Sequence, residues 1–187
     1  MKTILQVEDD PNDVFLFKHA MNKVGLTNPV QIATDGQEAI DYLYGEGKFA
    51  DRAKFPYPCL VLLDLKLPFV MGLEVLRWIR KQPGKALPVI VLTASAEEGD
   101  IAMAYSLGAN GFLTKPSEVR KLEEMVKAIK DFWLTQNVLP QTSWSDTRTE
   151  AVPNRVYSRV EGFAANPRPA VNGKRPNEWP YNVEVIS

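Results

Sequence analysis

Cysteine and histidine are almost missing from this chain of 187 residues, with Cys59 and His19 the only examples. A single cysteine excludes an internal disulfide. Cys59 also lies in the apolar run Cys59-Leu60-Val61-Leu62-Leu63, where burial is expected, and both features suit a reducing cytoplasm. Charge of one sign is missing too: 22 Lys and Arg stand against 23 Asp and Glu, a formal net charge of -1. No global field therefore draws the protein to nucleic acid or to an anionic membrane. The longest apolar runs are far too short to span a bilayer. The opening Met1-Lys2-Thr3-Ile4-Leu5-Gln6-Val7 runs straight into acidic residues and lacks the apolar stretch of a secretory signal. There is no internal repeat. What remains is 45% hydrophobic and 24% charged, the balance of a globular protein able to bury a core.

The first 139 residues alternate between two periodicities. Short Val-, Ile- and Leu-rich runs at 4–7, 30–33, 60–63, 89–92 and 111–113 show little polar alternation, as strands buried on both faces of a parallel sheet do. Between them, residues 11–24, 36–44, 73–82, 97–107 and 117–132 carry apolar side chains at helical spacing. Pro11 suits the first turn of the first helix, and Ser117 is placed as the N-cap of the last. The order is (βα)5. Right-handed crossovers make it a doubly wound three-layer α/β sandwich, for which a common strand order is 2-1-3-4-5. Its ligand crevice lies at the carboxyl ends of strands 1 and 3, where the winding reverses.

Two segments stand apart. Residues 45–58, with Gly45, Gly47, Pro56 and Pro58, form an unusually long connection before the third strand. Residues 140–187 hold six of the 14 prolines and no useful periodicity, yet Trp144, Tyr157, Phe163, Trp179 and Tyr181 are too aromatic for a typical disordered tail. The expected division is therefore a folded domain over 1–139 and a C-terminal extension over 140–187. The extension is read either as loosely ordered or as an arm whose aromatics dock on its own domain or a partner subunit. It is too short and too interrupted for a DNA-binding module. Its six basic and five acidic residues form no basic stripe, so no nucleic-acid partner is expected.

The last residues of each strand carry the chemistry. Strand 1 ends in Val7-Glu8-Asp9-Asp10, strand 3 in Leu63-Asp64, strand 4 in Leu92-Thr93-Ala94, and strand 5 in Thr114-Lys115-Pro116. A parallel sheet brings all these ends to one edge. Clustered carboxylates repel one another, and a hard dication such as Mg2+ relieves that repulsion with oxygen ligands. A metal and a lysine neutralise the oxygens of a transferring phosphoryl group, a threonine hydroxyl can bond another, and an aspartate is a competent nucleophile. Singly, each has an ordinary explanation: a helix cap, a loop starter, a solvated charge. Those explanations do not require all of them at strand ends of one crevice. Asp10 is expected to cap the first helix.

These motifs carry a resemblance. Val7-Glu8-Asp9-Asp10-Pro11, Leu62-Leu63-Asp64-Leu65-Lys66-Leu67-Pro68, Gly72-Leu73-Glu74-Val75-Leu76, Val91-Leu92-Thr93-Ala94 and Gly111-Phe112-Leu113-Thr114-Lys115-Pro116 resemble the receiver domain of two-component response regulators over about residues 1–137. The long loop before Asp64 and the Gly-Leu-Glu-Val-Leu run are similar to single-domain receivers that partner bacterial phytochrome-type kinases. The resemblance implies a flavodoxin-like fold and a cytoplasmic phosphoacceptor that is not an enzyme of the usual kind. It implies Asp64 as acceptor, and Asp9, Glu8 (through a water), Asp64 and the Lys66 backbone carbonyl as ligands of Mg2+, with Mn2+ as an alternative. It also implies Thr93 as the switch hydroxyl, Lys115 as the partner of a phosphoryl oxygen, a cis Lys115–Pro116 peptide and Phe112 as a coupled aromatic.

The departures are Glu8 for a more usual aspartate, Lys66 as a cation beside the pocket, and Phe112 for a frequent tyrosine. His19 falls inside the first helix and reads as an ordinary helix residue, so the phosphoryl donor is expected to be a separate histidine kinase or phosphotransfer protein. Output is expected by protein contact through the helix 4, strand 5, helix 5 face, as a homodimer. Helix 5 reads on to Gln136, and its adjacent Phe132, Trp133 and Leu134 cannot all face one core. Three rival functions fit the residues less well. A haloacid-dehalogenase-type phosphatase wants an acid where Lys66 stands. A flavin carrier wants a Ser/Thr/Gly loop where Glu8-Asp9-Asp10 stands. A degenerate scaffold would not need Asp9, Asp64, Thr93 and Lys115 together.

Overall fold

A computed structural model describes residues 2–82 and 87–138. The boundary expected at 139/140 and both readings of the C-terminal extension lie outside the described residues. Strands β1 (Thr3–Val7), β2 (Val30–Ala33), β3 (Pro58–Leu63), β4 (Val89–Thr93) and β5 (Gly111–Thr114) alternate with helices α1 (Pro11–Lys23), α2 (Gly36–Tyr44), α3 (Gly72–Lys81), α4 (Glu98–Ser106) and α5 (Val119–Ile129). The strands form one parallel sheet in the order β2-β1-β3-β4-β5. The winding reverses between β1 and β3, as the (βα)5 reading requires.

Side chains that alternate along the strands build two cores. Leu5, Val7, Val61, Leu63 and Val89 meet Ala39 and Leu43 of α2 and Val75, Leu76 and Ile79 of α3. Ile4, Leu60, Leu62, Ile90 and Leu92 meet Phe17, Ala20 and Met21 of α1 and Leu122, Val126 and Ile129 of α5. Burial on both faces explains the near-continuous apolar runs. Under α4 lies only a small cluster of Leu65, Val91 and Ala104, with Phe112 packed against it. Cys59 is half-buried, not buried as its apolar run suggested. It sits at the start of β3, at the margin of the α1/α5 core, and burial there raises its thiol pKa.

Two helix ends differ from expectation. The last helix starts at Val119 with Glu118 at the N-cap position and no side-chain cap, leaving Ser117 outside. Residues 117–120 are exposed, so water can satisfy the free N–H groups of that turn, and the Glu118 carboxylate pairs with Lys121 instead. Past Ile129 the chain widens into a π-helix over Lys130–Gln136. Its i→i+5 bonding sets Trp133 and Leu134, four and five residues on from Ile129, against the same core. Two of the three adjacent apolar residues therefore share one core, and all three do not, as expected. Phe132, 52% exposed, remains outside, edge-to-face on Trp133.

The long connection before β3 is folded. It holds a 3-10 turn at Gly47–Phe49 and a cluster in which Phe49 meets Tyr42 and Phe55 edge-to-face, with centroids 5.2 and 5.1 Å apart. Arg52 donates to the Tyr42, Leu43 and Phe55 carbonyls at 2.7, 2.7 and 3.2 Å, closing the loop onto the C-terminus of α2. Among the described residues no helix is long and apolar enough to cross a membrane.

Candidate functional site

The parallel register puts the strand ends level. Val7 pairs with Leu63, Leu63 with Val91, and Thr93 with Thr114. Backbone bonds continue one step further: Glu8 N donates to Ala33 O (2.9 Å), Asp64 N to Val7 O (3.1 Å) and Lys115 N to Thr93 O (2.8 Å). These bonds fix the backbone from which the acidic and basic side chains project.

Glu8, Asp9 and Asp64 come together, with one carboxylate oxygen from each within 4.8 Å of the others. Glu8 and Asp64 are buried, whereas Asp9 is open to solvent. Lys115 closes the cluster, its Nζ donating to Glu8 Oε2 at 2.5 Å, Asp64 Oδ2 at 2.7 Å and Asp13 Oδ2 at 2.8 Å. The other Asp64 oxygen, Oδ1, accepts from the Lys66 backbone N–H at 3.1 Å. Asp10 stands aside as the N-cap of α1, as expected, accepting from Asn12 N at 2.8 Å.

The electrostatics follow. Burial pushes the Glu8 carboxyl up to about 7, despite the opposing pull of Lys115. Burial alone would depress the Lys115 ammonium, but Asp13, Asp64 and Glu8 outweigh it and hold it well above its usual value. The pocket thus keeps its cation while one of its acids is poised near neutrality.

Thr93 is 1% exposed and its Oγ1 is buried with no hydrogen-bond partner. A buried orphan hydroxyl is costly unless something else bonds it. Hard oxygens in close array, a lysine and an unsatisfied hydroxyl are what a divalent cation and an anionic group require together. The residues present therefore fit Mg2+ or Mn2+.

The other expected residues are placed as follows. Phe112 is half-buried against the small cluster under α4, and the Lys66 side chain is exposed beside the pocket. His19 is exposed on α1 and takes no part. The Lys115–Pro116 peptide is trans, not cis. Trans is the intrinsically favoured X–Pro form by about 0.5–1 kcal/mol, and Lys115 bonds Asp64 with the peptide in that form. Asp13 was not foreseen. The signal was its place one helical turn beyond Asp9, in the first turn of a Pro-led helix whose N-terminus abuts the acidic strand end.

Comparison with known proteins agrees. Response regulator Rcp1 of Synechocystis sp. is 38% identical over 140 residues, spanning 74% of this chain and 93% of its own length. The crystal structure of the phosphorylated cyanobacterial phytochrome response regulator RcpA is 39% identical with a TM-score of 0.69, covering 74% of this chain and 98% of that one. The Mn2+-bound form of Rcp1 is 38% identical with a TM-score of 0.68, covering 75% and 99%. The response regulator receiver domain family matches residues 4–127. The acidic cluster is where such a domain carries its phosphorylation chemistry, as a phosphoacceptor and not as a turnover enzyme. The match takes in four of the strand ends that build the pocket, and the chain belongs to the response-regulator receiver family.

Proposed function

We propose that Asp64 is the phosphoacceptor and that the chain receives its phosphoryl group from the phosphohistidine of a sensor histidine kinase or phosphotransfer protein. The observation that carries this is Lys115 bonded at once to Asp64, Glu8 and Asp13 beside the unsatisfied Thr93 hydroxyl. An Asp64 oxygen attacks phosphorus, a P–O bond forms as the P–N bond breaks, and that bond's electron pair returns to the imidazole. Lys115 exchanges a carboxylate for a phosphoryl oxygen, and Thr93 donates to another. Asp9, Asp64, the Lys66 backbone carbonyl and, through a water, Glu8 would hold Mg2+ or Mn2+. When bound, the cation supplies charge neutralisation at the phosphoryl oxygens.

Phe112 follows Thr93 by packing alone and passes the change to the face of α4, β5 and α5. Met103, Tyr105 and Val119, each about half exposed, give α4 and α5 apolar side chains available to a homodimer contact. The names of the relatives favour a phytochrome-type kinase as donor. A receiver over residues 1–139 and an extension over 140–187, working in the cytoplasm without nucleic acid or membrane, complete the reading.

The test is intact mass after incubation with acetyl phosphate, with and without Mg2+, beside Asp64→Ala. A Mg2+-dependent phosphoryl adduct, absent from the variant, is expected. Failure with both acetyl phosphate and a cognate kinase would reject the acceptor role and leave a binding scaffold.

A further inference from the structure

The segment that follows Asp64 is held in an unusual way. Val70 N donates to Pro68 O at 2.8 Å, an i→i+2 bond, and Phe69 between them has φ 65°. A γ-turn with positive φ is rare and strained, and a bulky non-glycine residue there is an outlier. Such strain persists only where the surroundings over-determine the backbone.

The surroundings are two glycines at the starts of two different helices. At Gly72, first residue of α3, an added Cβ would lie 2.0 Å from Asp64 O and 2.7 Å from Leu65 Cα, and Gly72 N donates to Leu65 O at 3.0 Å. At Gly36, first residue of α2, an added Cβ would lie 2.1 Å from Val70 O, 2.9 Å from Val70 C and 2.8 Å from Val75 Cγ2. The first two of those atoms are backbone and cannot swing away. The loop from Asp64 to Met71 is thus pinned at its near end by α3 and at its far end by α2.

The α2 end is itself fixed. Asp35 caps the helix by accepting from Glu38 N at 2.7 Å, and Glu38 returns a carboxylate oxygen to Thr34 N at 2.7 Å. One residue before Thr34, Ala33 O accepts from Glu8 N. The backbone of the first acidic residue and the stop that Gly36 sets for Val70 therefore belong to one rigid corner. Between the two pins lies Lys66, whose N–H orients the Asp64 carboxylate.

We infer that Gly36, far from Asp64 in sequence, is a positioning residue of the acidic site: its bare Cα sets where Val70 stops and so where the loop holds Asp64 and Lys66 for the cation. This rests on the proposed reading, in which the Lys66 carbonyl is a ligand. Displacing Val70 shifts the loop unless the turn at Phe69 absorbs the movement, which a glycine at position 69 can do at no steric cost.

The experiment is calorimetric titration of the purified chain with Mg2+, run beside thermal unfolding, for wild type, Gly36→Ala, Gly36→Ala/Phe69→Gly and Gly99→Ala. An added Cβ at Gly99 meets no atom outside its own helix backbone within 4 Å, and that variant serves as control. Gly36→Ala is expected to weaken Mg2+ binding of the folded protein by about 10-fold or more, the scale seen when a group that orients a metal ligand is lost. The double variant is expected to regain most of that loss, and Gly99→Ala to keep wild-type affinity. A folded Gly36→Ala with wild-type affinity overturns the inference, because a merely structural glycine would lower the melting temperature alone. A double variant no tighter than the single one overturns it too. If Gly36→Ala does not fold, the double variant decides: folded with near wild-type affinity supports the coupling, and unfolded rejects it. A wild type that binds no Mg2+ removes the acceptor reading first and this inference with it.

Discussion

Helices α3 and α4 are nearly equal in length and follow consecutive strands, yet they are anchored very differently. In α3, Gly72, Val75, Leu76, Trp78 and Ile79 are buried, whereas α4 buries Ala104 alone. The C-terminal end of α4 is held by Leu107 and Ala109 at the core margin and by a side chain of α3. Arg80 of α3 donates to Gly108 O at 2.9 Å, to Asn110 Oδ1 at 2.7 Å and to Leu87 O at 2.9 Å. The helix that begins against Asp64 is thus built as a wall, and the one beyond Thr93 as a panel with a narrow apolar footing and a polar clasp. Under the proposed function, a site that keeps its geometry and a surface that changes call for these opposite solutions.

The contrast breaks most visibly on the wall. Leu76→Ala should cost about 2–5 kcal/mol, the range for emptying a packed core position. Urea unfolding reads it, and a loss under 1 kcal/mol would mean that α3 is not the rigid partner. Next comes the clasp. Arg80→Ala leaves two carbonyls and the Asn110 side chain short of a donor and should cost about 1–3 kcal/mol. Hydrogen exchange should then quicken in α4 and leave α3 protected, whereas equal quickening in both would contradict the comparison.

A smaller effect lies in the pocket itself. The Glu8 carboxyl is raised from 4.5 to about 7 in the folded protein, so the fold holds that proton more tightly than the unfolded chain. Its contribution to the stability of the metal-free protein is complete below about 4.5 and is lost as pH rises through about 7. Wild type should therefore lose stability over that window relative to Glu8→Gln, and parallel pH profiles would refute the assignment. Smallest of all is the panel: Met103→Ala on exposed α4 should shift stability by no more than about 0.5 kcal/mol. Analytical ultracentrifugation of the phosphorylated form then shows whether its side chain serves self-association.

The wall was readable in the sequence and the clasp was not. Leu73, Leu76 and Ile79 repeat at helical spacing, and the runs ending at Val7, Leu63, Leu92 and Leu113 announce strands whose carboxyl ends share an edge. That was enough to gather Glu8, Asp9, Asp64, Thr93 and Lys115. Arg80 and Gly36 act through partners remote in sequence, which no periodicity encodes, and Asp13 is marked only by its place one turn beyond Asp9 at the head of α1. The π-helix after Ile129 was invisible for a related reason: it satisfies Trp133 and Leu134 by changing the helical repeat on which the reading relied. Ser117 looked like a cap because residue type suggests one, but exposure of that turn makes a cap unnecessary.

The tethered loop before β3 has a consequence for how such a chain can vary. Arg52 grips carbonyls at the end of α2 and one just ahead of β3, and Tyr42 Oη donates to Pro56 O at 2.6 Å. Both mouths of the loop are thereby fastened together through Arg52 and Tyr42. Phe49 is held in the core between Tyr42 and Phe55, but the exposed Lys48, Ala50 and Asp51 around it can change character without moving the point at which β3 sets out for Asp64. The grip works as a firebreak, on one side of which sequence is free to drift while the other side stays in register.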